Sequence, residues 1–220
     1  MSRSPRCPIR PVTAHGGANF RAPGQPNGPG VTVIDVEPNT GDYVDDILIS
    51  GNHIDASDTP LDAGGPKVNN GIAVNGGNPT KLFRGVRVVE NTVVGARHAQ
   101  PSYNLINYSG ILLRAANDTE VSRNTVRRVS RGIVVDTGST DFRIVSNTLI
   151  STGSGSTEPI SIENSTGGLV ASNELRNEPG DALNLGDRAL NIVEAGSSDS
   201  NQFRANRGKV HAAGRRSRVN

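Results

Sequence analysis

The sequence predicts an all-β solenoid of about six coils built from three sheets. An eight-residue pattern centred on asparagine recurs six times, a second short apolar pattern recurs between its copies, and the composition favours narrow β layers. Of the 220 residues, 34% are hydrophobic and 3% aromatic, with no Trp, whereas 26 Gly and 13 Pro supply many turns. A broad globular core ordinarily uses more large side chains. Val and Ile dominate the apolar residues, which suits pleated strands.

The asparagine-centred copies are "ILISGNHI" (47–54), "VRVVENTV" (86–93), "TEVSRNTV" (119–126), "FRIVSNTL" (142–149), "GLVASNEL" (168–175) and a degenerate "NQFRANRG" (201–208). Aligned on Asn52, Asn91, Asn124, Asn147, Asn173 and Asn206, they place Ile49, Val88, Val121, Ile144, Val170 and Phe203 three positions earlier. Ile54, Val93, Val126, Leu149 and Leu175 follow two positions later. Each copy therefore reads as a strand, a bend at Asn and a second short strand. Asn tolerates a left-handed backbone, and stacked side-chain amides can hydrogen-bond from one coil to the next.

The second pattern supplies the third strand of each coil. It reads "VIDV" (33–36), "GIAV" (71–74), "GILL" (110–113), "GIVV" (132–135) and "PISI" (159–162), with "DALNL" (181–185) as a weaker last member. Alternation along a strand sends Ile133 and Val135 to one face and Val134 and Asp136 to the other. One coil cannot bury its apolar face alone; stacked coils make a continuous narrow core.

These repeats resemble those of the right-handed parallel β-helix proteins of the pectate-lyase superfamily, over roughly residues 31–206. The resemblance implies a single-stranded right-handed parallel β-helix with the asparagine file at a tight bend and the GIxV strands flooring a substrate groove. It implies carbohydrate chemistry of lyase, hydrolase or epimerase type, a polysaccharide or oligosaccharide partner, and an extracellular or cell-envelope setting. The alternative is a non-catalytic sugar-binding, adhesive or scaffold module. The family's catalytic signatures do not transfer: the three-aspartate hydrolase pattern and the Asp-Pro-His epimerase motif are missing, and none of the three lysines (Lys67, Lys81, Lys209) falls on the GIxV row.

Around the solenoid (30–206), residues 1–29 hold six prolines without apolar periodicity and read as a poorly ordered arm; residues 207–220 read as a basic tail. The family's usual capping helix has no counterpart here, and truncation of a longer chain is preferred over an arm folded across the first coil. The net charge is +2, but the arm carries four basic residues and the tail five, with no acids in either. The remaining 14 basic residues face all 21 acids, so the body is −7, which argues against a nucleic-acid-binding surface on the fold. No stretch approaches the length of apolar sequence that spans a membrane, the N-terminus has no apolar signal-peptide core, and the single Cys7 says little about compartment.

The longest inter-strand segments, 55–70, 94–109, 75–85 and 186–200, would wall the GIxV floor, and long loops on a regular stack are where function is usually carried. The outward position after each GIxV is Glu37, Asn75, Arg114, Asp136, Glu163 and Leu185; the outward row two residues earlier runs Asp35, Ala73, Leu112, Val134, Ser161 and Leu183. Strands lie about 4.8 Å apart, so Arg114, Asp136 and Glu163 are expected to be successive neighbours. The candidate catalytic residues are Arg114, Asp136, Glu163 and Glu37; Asn75, Asp35, His98, Tyr103 and Tyr108 are candidates for substrate contact. Asp136 and Glu163 could divide into acid and base or nucleophile, or Arg114 could neutralise a uronate carboxylate with help from His98, Tyr103 or Tyr108. The same row also reads as a solvated ladder in which Arg114 offsets its acidic neighbours. No cofactor is expected. The acidic stretch 33–46 (Asp35, Glu37, Asp42, Asp45, Asp46) has oxygen ligands for Ca²⁺ but no calcium-loop spacing, and His53 with Asp55 reads as a surface pair.

Overall fold

The structure is a computed structural model that describes residues 7–9, 13–15, 31–36, 43–45, 47–55, 68–75, 82–95, 109–129, 131–152, 158–178 and 190–220. These residues form a parallel β-helix. The first winding is β1 (Cys7–Ile9), β2 (Thr13–His15) and β3 (Val31–Val36), followed by β4 (Tyr43–Asp45). The second is β5 (Ile47–Ser50), β6 (His53–Asp55), β7 (Val68–Asn75) and β8 (Leu82–Arg84). The third is β9 (Arg87–Val89), β10 (Thr92–Val94) and β11 (Ser109–Arg114), and the fourth β12 (Glu120–Ser122), β13 (Thr125–Arg127) and β14 (Arg131–Asp136). Next come β15 (Arg143–Val145), β16 (Thr148–Ile150) and β17 (Ile160–Glu163), then β18 (Leu169–Ala171), β19 (Glu174–Arg176) and β20 (Asn191–Ala195). The last layers are β21 (Gln202–Arg204), β22 (Lys209–His211) and β23 (Arg218–Val219).

Every strand pairing among the described residues is parallel. The strands before Asn form an eight-stranded sheet from β1 to β23, those after Asn a six-stranded sheet from β2 to β19, and the GIxV strands a seven-stranded sheet from β3 to β22; β4 and β8 make a separate pair. No helix among the described residues is long and apolar enough to cross a membrane.

The expected apolar files are the core. Ile49, Val88, Val121, Ile144, Val170 and Phe203 are all fully buried, and Ile54, Val93, Val126, Leu149 and Leu175 face them from the post-Asn sheet. The GIxV sheet contributes Ile72, Ile111, Ile133, Ile160 and Ile192 in one file, and Val74, Leu113, Val135 and Ile162 in the next. The glycines that begin this motif also point inward. A Cβ on Gly110 would stand 2.4 Å from Val126 Cγ1, and one on Gly132 2.3 Å from Leu149 Cδ2. Gly and the Ile after it thus both face the core, so the chain bends at Gly and the residue before it faces outward again.

The asparagine file is continuous. Each backbone N–H from Asn52 to Asn173 donates to the Oδ1 of the next Asn at 2.9–3.0 Å. Each side-chain amide donates to that same oxygen at 2.8–3.0 Å. From Asn91 onward the amide also donates to a carbonyl of the preceding winding, at 2.8–3.0 Å. Five of the six are essentially inaccessible to water, so each would carry an unpaired buried amide without its neighbour. The left-handed residue at the bend is the one before Asn, a correction to the expectation: Gly51, Glu90, Arg123, Ser146, Ser172 and Ala205 have φ of 49–65°. Five of these are not glycine, at an intrinsic cost of about 1–2 kcal/mol each that the ladder offsets.

A second polar file turns the opposite corner. Ser139, Ser165 and Ser198 are buried; the Ala116 and Ser165 N–H groups donate to the hydroxyls of Ser139 and Ser198 at 3.1 Å. Those hydroxyls, with that of Ser165, return hydrogen bonds to Asp136, Ile162 and Glu163 carbonyls.

Three boundaries differ from expectation. The sixth GIxV strand is Asn191–Ala195, paired with β17, rather than 181–185, which lies outside the described residues. Within 1–29, Cys7–Ile9 and Thr13–His15 pair with β5 and β6. The expected basic tail carries β22 and β23, which extend two of the sheets. That last segment is held by Glu194, whose position continues the file Val74, Leu113, Val135 and Ile162. Glu194 is 2% exposed, and its carboxylate accepts hydrogen bonds from Asn201 Nδ2 (2.7 Å), Ser217 Oγ (2.6 Å) and the backbone N–H groups of Ala213 and Gly214 (both 2.8 Å). A buried carboxylate is tolerated when its lone pairs are this fully used.

Candidate functional site

The outward residues of the GIxV sheet form a charged row. Arg114 and Asp136 are register partners on β11 and β14, and Glu163 stands one winding further along on β17. Arg114 Nη2 lies 3.6 Å from Asp136 Oδ2, an ion pair too long for a hydrogen bond, and 41% of the Arg114 side chain is exposed. Asp136 Oδ1 instead accepts the Thr137 N–H at 2.5 Å.

Glu163 is engaged by a residue that sequence reasoning missed. Arg131 precedes the Gly132 bend, so its side chain returns to the outer face, where Nη2 donates to Glu163 Oε1 and, at 3.2 Å, to Ser161 Oγ. Ser161 Oγ donates to the same Glu163 oxygen at 2.6 Å. The only signal in the sequence was the basic residue ahead of GIVV, which by simple alternation belongs to the preceding loop. Asp136 and Glu163 therefore do not face each other as a bare like-charge pair; each has its own guanidinium. Two cross-strand ion pairs side by side are well suited to hydrogen-bonding a polar surface, and leave no free proton acceptor opposite a free proton donor.

Four residues of the row below are closed to solvent. Ala73, Leu112 and Val134 are at most 9% exposed and form an apolar cluster separate from the core, and Ser161 is 3% exposed. The expectation of an open floor across both outward rows is narrowed: the lower row is closed from Ala73 to Ser161, half-buried Val193 continues it, and Arg114, Asp136 and Glu163 of the upper row reach water.

Glu37, His98, Tyr103 and Tyr108 lie outside the described residues. Asp35 and Asn75 take their expected places in the backbone of β3 and β7, Asn75 as register partner of Arg114; their side chains lie outside what is described. His53 and Asp55 flank buried Ile54 on the outer face of β6, half-buried. Among the described residues no group of three or more His, Cys, Asp or Glu is placed to hold a metal ion, and the side chains of 33–46 fall outside that set.

Fold and site together define a parallel β-helix with a charge-paired outer face. No family model, no curated protein and no solved structure matches the chain.

Proposed function

We propose that the protein is a non-catalytic, polysaccharide-binding β-solenoid that grips acidic sugar residues on the outer face of its GIxV sheet. The observation that carries this reading is Arg114. Its side chain is 41% exposed and meets Asp136 only at ion-pair distance, so its terminal N–H groups are left to donate to a uronate carboxylate. Arg131 and Glu163, already tied to each other and to Ser161, supply a rigid polar surface beside it. A row in which each acid is paired with its own guanidinium supports binding better than an opposed free acid and base would. Fold alone assigns no function, so the proposal stands on this row of residues.

The test is a panel of uronate and neutral polysaccharides, scored for retention by affinity electrophoresis and for turnover. Retention on uronate polymers, lost in Arg114→Gln, is the expected result. Ultraviolet-absorbing unsaturated products would identify a lyase, and new reducing ends a hydrolase; either overturns the non-catalytic reading. Silence in every arm overturns the carbohydrate reading altogether.

A further inference from the structure

At the opposite corner of the molecule the last two strands of the pre-Asn sheet build a second, unrelated feature. Phe203, which is buried, and Val219, which is 55% exposed at the end of the stack, are register partners, and alternation sends Gln202, Arg204 and Arg218 to the outer face. Ser217 turns inward to the Glu194 carboxylate, which sends Arg216 outward as well. These residues, with Ser200 and Asn220, line a cavity of about 360 Å³ whose side chains are all polar or cationic.

The charge there is not balanced. Residues 207–220 carry five basic residues and no acid. Glu194 beneath them is saturated by four donors, and Asp199 is held by Arg216, whose N–H and Nε donate to its two oxygens at 2.7 and 2.8 Å. Arg204 Nη2 reaches only the neutral Gln202 Oε1, at 2.5 Å. The backbone N–H of Arg218 donates to Asn201 O at 2.9 Å, and its guanidinium makes no hydrogen bond or ion pair among the described residues. Three guanidiniums thus converge, from β21, β23 and the turn before β23, with the Arg216-bound Asp199 beside them.

We infer that this cavity binds a tetrahedral oxyanion, a phosphate or sulfate group, on a ligand small enough for a cavity at the lower end of the usual range for small molecules. Guanidiniums present paired N–H donors in a plane that matches such oxygens, and several from different directions favour a dianion over a carboxylate. The site is separate from the proposed polysaccharide face and does not depend on it.

The experiment is titration of the whole chain with inorganic phosphate, inorganic sulfate and acetate, followed by calorimetry and by the Arg side-chain N–H resonances. Saturable binding of phosphate or sulfate, at least tenfold tighter than acetate, with shifts at Arg204 and Arg218, is expected. The tighter of the two dianions identifies the source of the group. Arg204→Gln and Arg218→Gln should each weaken binding about tenfold, and Arg143→Gln, an exposed arginine on the same sheet outside the cavity, should leave it unchanged. Both substituted positions are exposed, and retained exchange protection at Ala213 and Gly214 verifies that the Glu194 clamp survives. Equal loss in Arg143→Gln, equal affinity for acetate, or no shift at Arg204 and Arg218 overturns the site.

Discussion

Replacing Glu194 by Ala removes the acceptor on which four donors converge. Asn201 is fully buried, so its amide is left without that partner at a cost of about 1–3 kcal/mol. Ala213, Gly214 and Ser217 are exposed or half-buried and can regain water, so each forfeits only about 0.5–1.5 kcal/mol of net hydrogen bonding. The missing side chain also leaves a void in the Val135–Ile162 file. The hydrogen-bond contributions alone sum to about 2.5–7.5 kcal/mol, and release of the terminal segment caps the observed loss near the lower half of that range, about 3–5 kcal/mol. Equilibrium urea unfolding gives the total, and amide hydrogen exchange at Ala213 and Gly214 gives the local effect, which should approach unprotected rates. Glu194→Gln keeps the shape but turns an amide against two N–H donors, and should fall about midway. A Glu194→Ala protein within about 1 kcal/mol of the parent, with both amides still protected, would refute the assignment of Glu194 as the clamp of the last winding.

Three further outcomes follow from the ladders and corners. Asn124→Ala removes a mid-file rung, leaving the Asn91 N–H unpaired and taking one acceptor from its amide, which keeps the Ile49 carbonyl, and should cost about 3–5 kcal/mol in chemical denaturation, more than the same change at half-buried Asn206 at the end of the file. Gly110→Ala drives a Cβ into Val126 and should cost about 1–3 kcal/mol, with part recovered in the Gly110→Ala/Val126→Ala double variant as a favourable coupling energy. The N–H and guanidinium of Arg216 hold the Asp199 carboxyl below its ordinary value near 3.8. Its contribution is therefore present above the ordinary carboxylate value and lost as pH falls through the lowered folded one; exchange protection of the Arg216 N–H should fall only in that acid range, and Asp199→Asn should abolish the response.

What could be read from the chain was what repeats without exception. Asn and its flanking apolar residues occupy the same geometric slot in windings two to six, and Asn206 continues the file, so alignment alone recovers most of the pre-Asn and post-Asn sheets. The sixth GIxV strand escaped because its core position holds Glu194, and a carboxylate satisfied by groups up to 23 residues away carries no local apolar signal; "DALNL" offered the alternation that "NIVEA" lacks. Arg131 escaped for a different reason, since the bend at Gly132 breaks the period of two that sorts inward from outward residues. The serine file is short and begins beside Ala116, too brief to stand out among many small polar residues. The left-handed residue before Asn was hidden because Gly, Glu, Arg, Ser and Ala all occupy it.

Consecutive rungs of the asparagine file lie 39, 33, 23, 26 and 33 residues apart along the chain, yet their N–H to Oδ1 distances agree within 0.1 Å. Contour length and vertical rise are thus uncoupled: whatever the chain does between rungs, it must return to the same height. That property makes the molecule a ruler with detachable edges, on which a foreign peptide grafted between β16 and β17 would alter the periphery while leaving the graduation intact.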